Sequence, residues 1–273
     1  MKKTMSLSEK LHNGENVYGT CIVSNSPIWP KAVQGAGLDF VFIDTEHLPI
    51  DRTELTMMCQ VYGTMGLSPI VRIPYPDAHL AGMARDAGAV GVLAPYIEKV
   101  AEVEQLVGAV KLRPLKGQRL AQVLAGKEIL EPELTAYLNT YNQNSLCLIN
   151  IESRVALDQL DVLLDVPGLD AVIVGPHDLS INMGFPEHYE HPDFEQAVAA
   201  IIKKARNKNV AAGIHFPSDP KQQVRWIRKG ANLVLHSSDM FLFAQKLKED
   251  IGNIKQTVGE ATNNAQDSTD FAI

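Results

Sequence analysis

The sequence predicts one (β/α)8 barrel. Three observations carry that prediction. Eight short apolar runs, rich in β-branched residues, recur through the 273 residues. Most are followed by a stretch of helical spacing with polar residues on one side. Ionisable groups are nearly absent inside the runs and gather at their C-terminal ends. Strands that are apolar on both faces and alternate with helices indicate a parallel sheet covered on each side. The length suits a barrel of this kind.

The runs are Val17–Ser24, Leu38–Asp44, Ser68–Pro74 and Ala89–Tyr96 in the first half, then Ser145–Glu152, Leu169–Pro176, Val210–Pro217 and Ala231–Ser238 in the second. Helical spacing is expected over Arg52–Met65, Asp77–Ala87, Glu98–Lys111, Val155–Leu164, Asp193–Lys208, Asp219–Lys229 and Asp239–Ile251. Acidic residues open several of these segments, where capping and the helix dipole favour them. Eight units select a closed barrel over an open sheet. The open alternative would carry a Gly-rich dinucleotide turn after its first strand, but that strand is followed by Asn25-Ser26-Pro27. No phosphate-binding GxxxxGK occurs either.

The rhythm breaks between 112 and 144, which is long for one connection and is expected to be a helical insertion over the barrel mouth or on a neighbouring subunit. The barrel domain is expected to span 1–253, and 254–273 to form a polar, frayed tail.

Composition excludes several classes. No apolar stretch reaches the roughly 18 residues that span a bilayer. The N-terminal segment lacks the continuous apolar core of a signal peptide. Cys21, Cys59 and Cys147 show neither paired nor ligand-like spacing, which fits a reducing cytoplasm. A formal net charge of −7 argues against nucleic acid and anionic membrane as partners.

The strand ends hold the chemistry. The second run ends Asp44-Thr45-Glu46-His47, and the third carries Arg72. The fifth ends Asn150-Ile151-Glu152, and the sixth leads into Gly175-Pro176-His177-Asp178. His215 ends the seventh, and His236 lies in the eighth. The C-terminal face of this fold builds active sites. Buried charges there need a partner or a metal. The bland alternative is a set of structural ion pairs beneath the loops. No strand contains a lysine, which disfavours Schiff-base chemistry. No Gly-rich turn follows the last two strands, so an unphosphorylated substrate is expected. An enolate then needs another electron sink, and a divalent metal on Glu152 and Asp178 is the available one.

FVFIDTEH, VRIP, AVGVLAPYIE, INIE and VIVGPHDLSINMG occur in that order. Together they resemble the HpcH/HpaI aldolase family, metal-dependent pyruvate aldolases of the 2,4-dihydroxyhept-2-ene-1,7-dioate aldolase type, over about Glu15 to Ile251. The resemblance implies a pyruvate enolate formed from, or adding to, a 2-oxo acid, with an aldehyde as partner. It implies Glu152 and Asp178 as ligands of Mg²⁺ or Mn²⁺, with Co²⁺ a further option. His47 would act as acid/base through a bound water. Asp44 and Asp86 would orient it, Asp86 from an adjacent subunit, so a homo-oligomer, with a hexamer favoured, is implied. Arg72 would contact the keto oxygen, or else form a buried pair with Glu46 or Asp44. The backbone around His177 and Asp178 would hold the substrate carboxylate.

The sequence departs from the family at Asn150, where glutamine is usual, and at His177, where a small residue is usual. Arg119 is only a weak match to a family arginine. His177, His215 and His236 suggest an imidazole-rich wall, or three separately bonded rings. Two other functions compete: an oxaloacetate-type decarboxylase or malyl/citramalyl-CoA lyase using the same enolate, and a non-catalytic 2-oxo-acid-binding protein.

Overall fold

A computed structural model of the chain describes residues 5–216 and 219–260. In chain order the elements are α1 (Leu7–His12), β1 (Val17–Cys21), α2 (Trp29–Val33), β2 (Phe40–Asp44), α3 (Arg52–Thr64), β3 (Ser68–Arg72), α4 (Ala78–Ala87), β4 (Gly91–Ala94), α5 (Val100–Lys111), α6 (Gly117–Leu124) and α7 (Pro132–Tyr141). They continue with β5 (Leu146–Ile151), α8 (Arg154–Asp158), α9 (Leu160–Leu164), β6 (Ala171–Val174), α10 (Pro176–Asn182), α11 (Pro192–Asn207), β7 (Ala211–Phe216), α12 (Pro220–Arg228), β8 (Leu233–Ser238) and α13 (Asp239–Val258). The eight strands are parallel and close in sequence order, β8 pairing with β1.

Strand periodicity divides the core in two. Alternate residues such as Phe40, Phe42, Ile70, Leu93, Leu148 and Leu235 fill the barrel interior. The residues between them, such as Val41, Val71, Val92 and Ile149, pack outward under the helices. Gly19 marks a place where interior space is shared unequally. A Cβ there would lie 2.3 Å from the Phe40 ring, which fills the barrel at that level. Leu7 and Leu11 of α1 join the interior cluster, an element the sequence pattern did not single out.

Helix starts follow local chemistry. Asp51 caps α3 through the backbone amides of Thr53 and Glu54, and Glu54 reaches back to the Asp51 amide. Asp77 caps α4 through the Leu80 amide.

The segment 112–144 contains α6 and α7, but it does not lie over the mouth. It joins the C-terminal end of α5 to the N-terminal end of β5, and chain direction puts that junction on the N-terminal face. Lys111, at the end of α5, accordingly pairs with Asp170 beside the start of β6 at 2.6 Å. α13 continues to Val258, past the expected tail boundary at 253, while 261–273 of the expected tail lies outside the described residues.

Candidate active site

The same alternation that fills the interior with apolar side chains delivers polar ones at its top. Asp44 follows Phe42, Arg72 follows Ile70, Asn150 follows Leu148 and His215 follows Gly213, each two residues on and therefore on the inward side. They close the apolar column and open a cavity of about 580 Å³ at the C-terminal face. His47, Arg72, Asn150, Glu152, His177 and Asp178 all line it, above a floor of Phe42, Leu93, Ile173 and Leu235.

Asp44 and Arg72 are neighbours in register across β2 and β3. Asp44 is fully buried and accepts two hydrogen bonds from Arg72, from Nε at 2.9 Å and Nη2 at 2.6 Å. Its Oδ1 also accepts the Glu46 amide at 2.9 Å. Burial would raise this carboxyl's pKa, but the Arg72 bonds and charge outweigh it and hold Asp44 below the usual carboxylate range. Burial opposes the guanidinium's charge as well, and Asp44, Glu46 and Glu152 more than offset it. Glu46 reaches the same guanidinium at 3.2 Å. Burial raises the Glu46 pKa, with Arg72 and His47 acting against it.

The expected orientation of His47 by Asp44 is therefore not what the side chains do. Asp44 spends its oxygens on Arg72 and the Glu46 amide. His47 is about half exposed at the rim, and Glu46 Oε2 lies 3.7 Å from its Nε2. Asp86 lies near the C-terminal end of α4, on the opposite face of its own barrel, and pairs there with Arg113. Within one chain it takes no part in this site.

Glu152 is 3% exposed. Its Oε2 accepts the Tyr96 amide at 2.9 Å. Burial pushes its pKa up to about 7, the Tyr96 bond and Arg72 oppose the rise, and the Asp178 charge adds to it. Gly175 faces it so closely that a Cβ there would lie 2.2 Å from Oε1. Asn150 donates from Nδ2 to the Ile173 carbonyl at 3.2 Å, leaving Oδ1 buried without a hydrogen-bond partner.

His215 lines the cavity, and its Nε2 lies 3.3 Å from the Ser237 carbonyl. Burial lowers its pKa to about 4, so the ring is neutral near pH 7. His236 follows inward Leu235, pairs in register with outward-packed Phe216, and is not among the cavity's residues. His177 pairs with Glu187 and His215 with the Ser237 carbonyl, so of the two expected arrangements the separate rings fit these two histidines, and the three form no wall. Arg119 pairs with Glu128 and Glu131 in and after α6, outside the cavity.

Three contributors escaped the sequence reading. Tyr96 acts through its backbone amide, which residue type does not reveal. Glu187 and Tyr189 lie in the connection after α10, where no periodicity flags them. Glu46 was visible in the DTEH element, though only as one of two partners for Arg72.

The donor set suits a hard dication. Glu152 and Asp178 repel each other, Arg72 is engaged by Asp44 and Glu46, and Asn150 Oδ1 is an unused buried acceptor. Among the described residues no group of three or more His, Cys, Asp or Glu forms a ready-made metal cage. Two protein carboxylates would leave the remaining coordination to water and substrate.

The sequence model of the HpcH/HpaI aldolase/citrate lyase family matches residues 18–245. A 2-keto-3-deoxy-L-rhamnonate aldolase of Salmonella gallinarum is 28% identical over 254 residues, 93% of this chain and 94% of that protein. The crystal structure of an HpcH/HpaI aldolase from Desulfitobacterium hafniense DCB-2 superposes with a TM-score of 0.80 at 26% identity, covering 92% of this chain and 97% of that one. An HpcH/HpaI aldolase/citrate lyase family protein from Burkholderia cenocepacia J2315 gives a TM-score of 0.79 at 25% identity, over 92% and 100% of the two chains.

Proposed function

The chain belongs to the HpcH/HpaI aldolase/citrate lyase family, and from that premise we propose that it cleaves or forms 4-hydroxy-2-oxo acids through the enolate of pyruvate, releasing or taking up an aldehyde. One observation carries the proposal: Glu152, Asp178, Arg72 and His47 open on a single cavity at the barrel's C-terminal face.

Each residue has a task in cleavage. Arg72 presents a fixed cation. Its Nε and Nη2 are taken by Asp44 and Glu46, which leaves Nη1 for the substrate's keto oxygen. Charge growing on that oxygen meets a donor that needs no reorganisation. His47 stands at the open rim, where it can take the proton of the C4 hydroxyl through a water. As that proton leaves, a carbonyl forms at C4 and the C3–C4 bond breaks. Its electron pair passes into the C2–C3 enolate, which is protonated at C3 to give pyruvate. Glu152 and Asp178 are the proposed ligands of Mg²⁺ or Mn²⁺, which when bound supplies Lewis-acid withdrawal of the enolate's charge. Asn150 and the backbone at His177 and Asp178 are the proposed contacts for the substrate carboxylate.

A relative named as a 2-keto-3-deoxy-L-rhamnonate aldolase supports a 2-keto-3-deoxy sugar acid as the first substrate to try. The acyl-CoA alternative gains no support from the cavity, whose only lysine or arginine is Arg72. Cytoplasmic placement remains part of the proposal; no helix among the described residues is long and apolar enough to cross a membrane.

We extend the proposal to a homo-oligomer. α13 is exposed along nearly its whole length and carries an apolar stripe of Phe243, Leu247, Ile251, Ile254 and Val258. A partner barrel would cover that stripe. Only an adjacent subunit could bring Asp86 to His47.

The test is pyruvate release from 2-keto-3-deoxy-L-rhamnonate and related 4-hydroxy-2-oxo acids. Chelation should abolish release, and Mg²⁺ or Mn²⁺ should restore it. Cleavage that survives complete metal removal would overturn the mechanism.

A further inference from the structure

We propose that His177 and Glu187 form an acceptor subsite selecting an uncharged hydroxyaldehyde over an acidic or purely apolar one. The proposal rests on the aldolase reading above and assigns the second substrate's class.

Both side chains line the cavity, and Glu187 Oε1 lies 3.4 Å from His177 Nδ1. The pair is held from behind. Ser180 Oγ donates to the His177 carbonyl at 2.8 Å and accepts the Glu187 amide at 3.0 Å. Glu187 has φ +59°, a conformation that a non-glycine residue keeps only when its surroundings impose it. Two residues on, Tyr189 also lines the cavity and packs edge-on against Phe216 at 5.5 Å, which anchors the loop. The two polar groups are thus set on a braced wall.

Their chemistry complements a hydroxyl. A carboxylate only accepts hydrogen bonds, whereas an imidazole N–H donates. One hydroxyl can donate to Glu187 and accept from His177. Both side chains are more than half exposed, so an aldehyde without the hydroxyl leaves them to water and forgoes the two bonds. An acidic aldehyde would bring its negative charge against the Glu187 carboxylate, which also lines the cavity. Arg72 is the only lysine or arginine in that lining, and Asp44 and Glu46 already engage it.

The experiment is aldol addition of pyruvate to 2-hydroxypropanal, propanal and glyoxylate, with kcat/KM measured for each. The wild type should favour 2-hydroxypropanal over propanal by about tenfold or more. Glu187→Gln and His177→Ala should each erase most of that ratio, and Glu187→Gln should raise the use of glyoxylate. Pyruvate C3 deuterium exchange, which needs no acceptor, is measured in the same proteins so that enolate formation is read apart from acceptor choice. If Glu187→Gln does not fold, Glu187→Asp and His177→Ala carry the same comparison. A ratio that stays within twofold of wild type while exchange persists would overturn the subsite alone. Absence of exchange in the wild type would overturn the aldolase reading and the subsite with it.

Discussion

Gly175 leaves Glu152 the space that a side chain at 175 would take. A methyl group there would meet the flexible end of Glu152 rather than backbone, so the carboxylate should move and the fold should survive. We expect Gly175→Ala to weaken metal binding and turnover by about tenfold or more, with a circular dichroism spectrum and melting temperature close to wild type. Global unfolding would show that the site depends on Gly175 for another reason. Glu152 also sets a pH dependence. With a pKa near 7 in the metal-free site, it carries a proton below neutrality that a cation must displace. Affinity for Mn²⁺ should therefore fall by up to about tenfold per pH unit below 7 and level off above it. Calorimetry at pH 6 and 8, in buffers of different ionisation enthalpy, should find proton release at the lower pH only. The acids, the arginine and His47 were legible at this scale because charge at strand ends stands out against apolar interiors. Their pairing was legible only as one of two alternatives. Asp44 has two possible partners in the same short stretch of strand ends, and only side-chain direction decides that it holds Arg72 rather than His47.

Adjacent strands β2 and β3 supply the stiffest part of the site. Asp44 and Arg72 share register, so their pair is set by the sheet itself. Removing one partner of a buried pair leaves the other uncompensated. Glu46 can take up part of the load at 3.2 Å. We expect Asp44→Asn to cost about 3 kcal/mol, at the low end for such pairs, seen as a lower urea midpoint with an unchanged slope. The pair also predicts acid sensitivity. Its contribution is present above the usual carboxylate range and is lost as pH falls through the depressed Asp44 value. Element types were readable from periodicity, but of the two places expected for the helical segment at 112–144 the fold excludes the mouth. A connection from a helix end to a strand start must lie on the N-terminal face, so chain direction alone would have excluded the mouth. His236 escaped for a different reason. Strands apolar on both faces hide their parity, and β8 shows which residues point inward only once Leu233 and Leu235 are seen to fill the barrel.

The whole molecule is a closed barrel whose last helix, α13, has little packed against it. Eight recurring runs made the barrel legible, whereas an exposed helix face leaves no periodic signature of its own beyond an amphipathic stripe. Under the proposed homo-oligomer, Phe243→Asp with Ile254→Asp should shift sedimentation velocity toward a smaller species and lower turnover together, by taking the proposed Asp86 contribution away from the neighbouring site. Full activity in a monomer would remove Asp86 from the chemistry. The central claim is that this barrel makes the enolate of pyruvate on Glu152 and Asp178 with a divalent metal. Its most direct test is the rate of C3 deuterium incorporation into pyruvate in D₂O, with and without Mn²⁺, in wild type and Glu152→Gln. Metal-dependent exchange is expected in the wild type and at least a hundredfold slower exchange in the variant, of the order seen when a principal electrostatic stabiliser is lost. Equal exchange in the two proteins, or exchange unaffected by chelation, would contradict that claim.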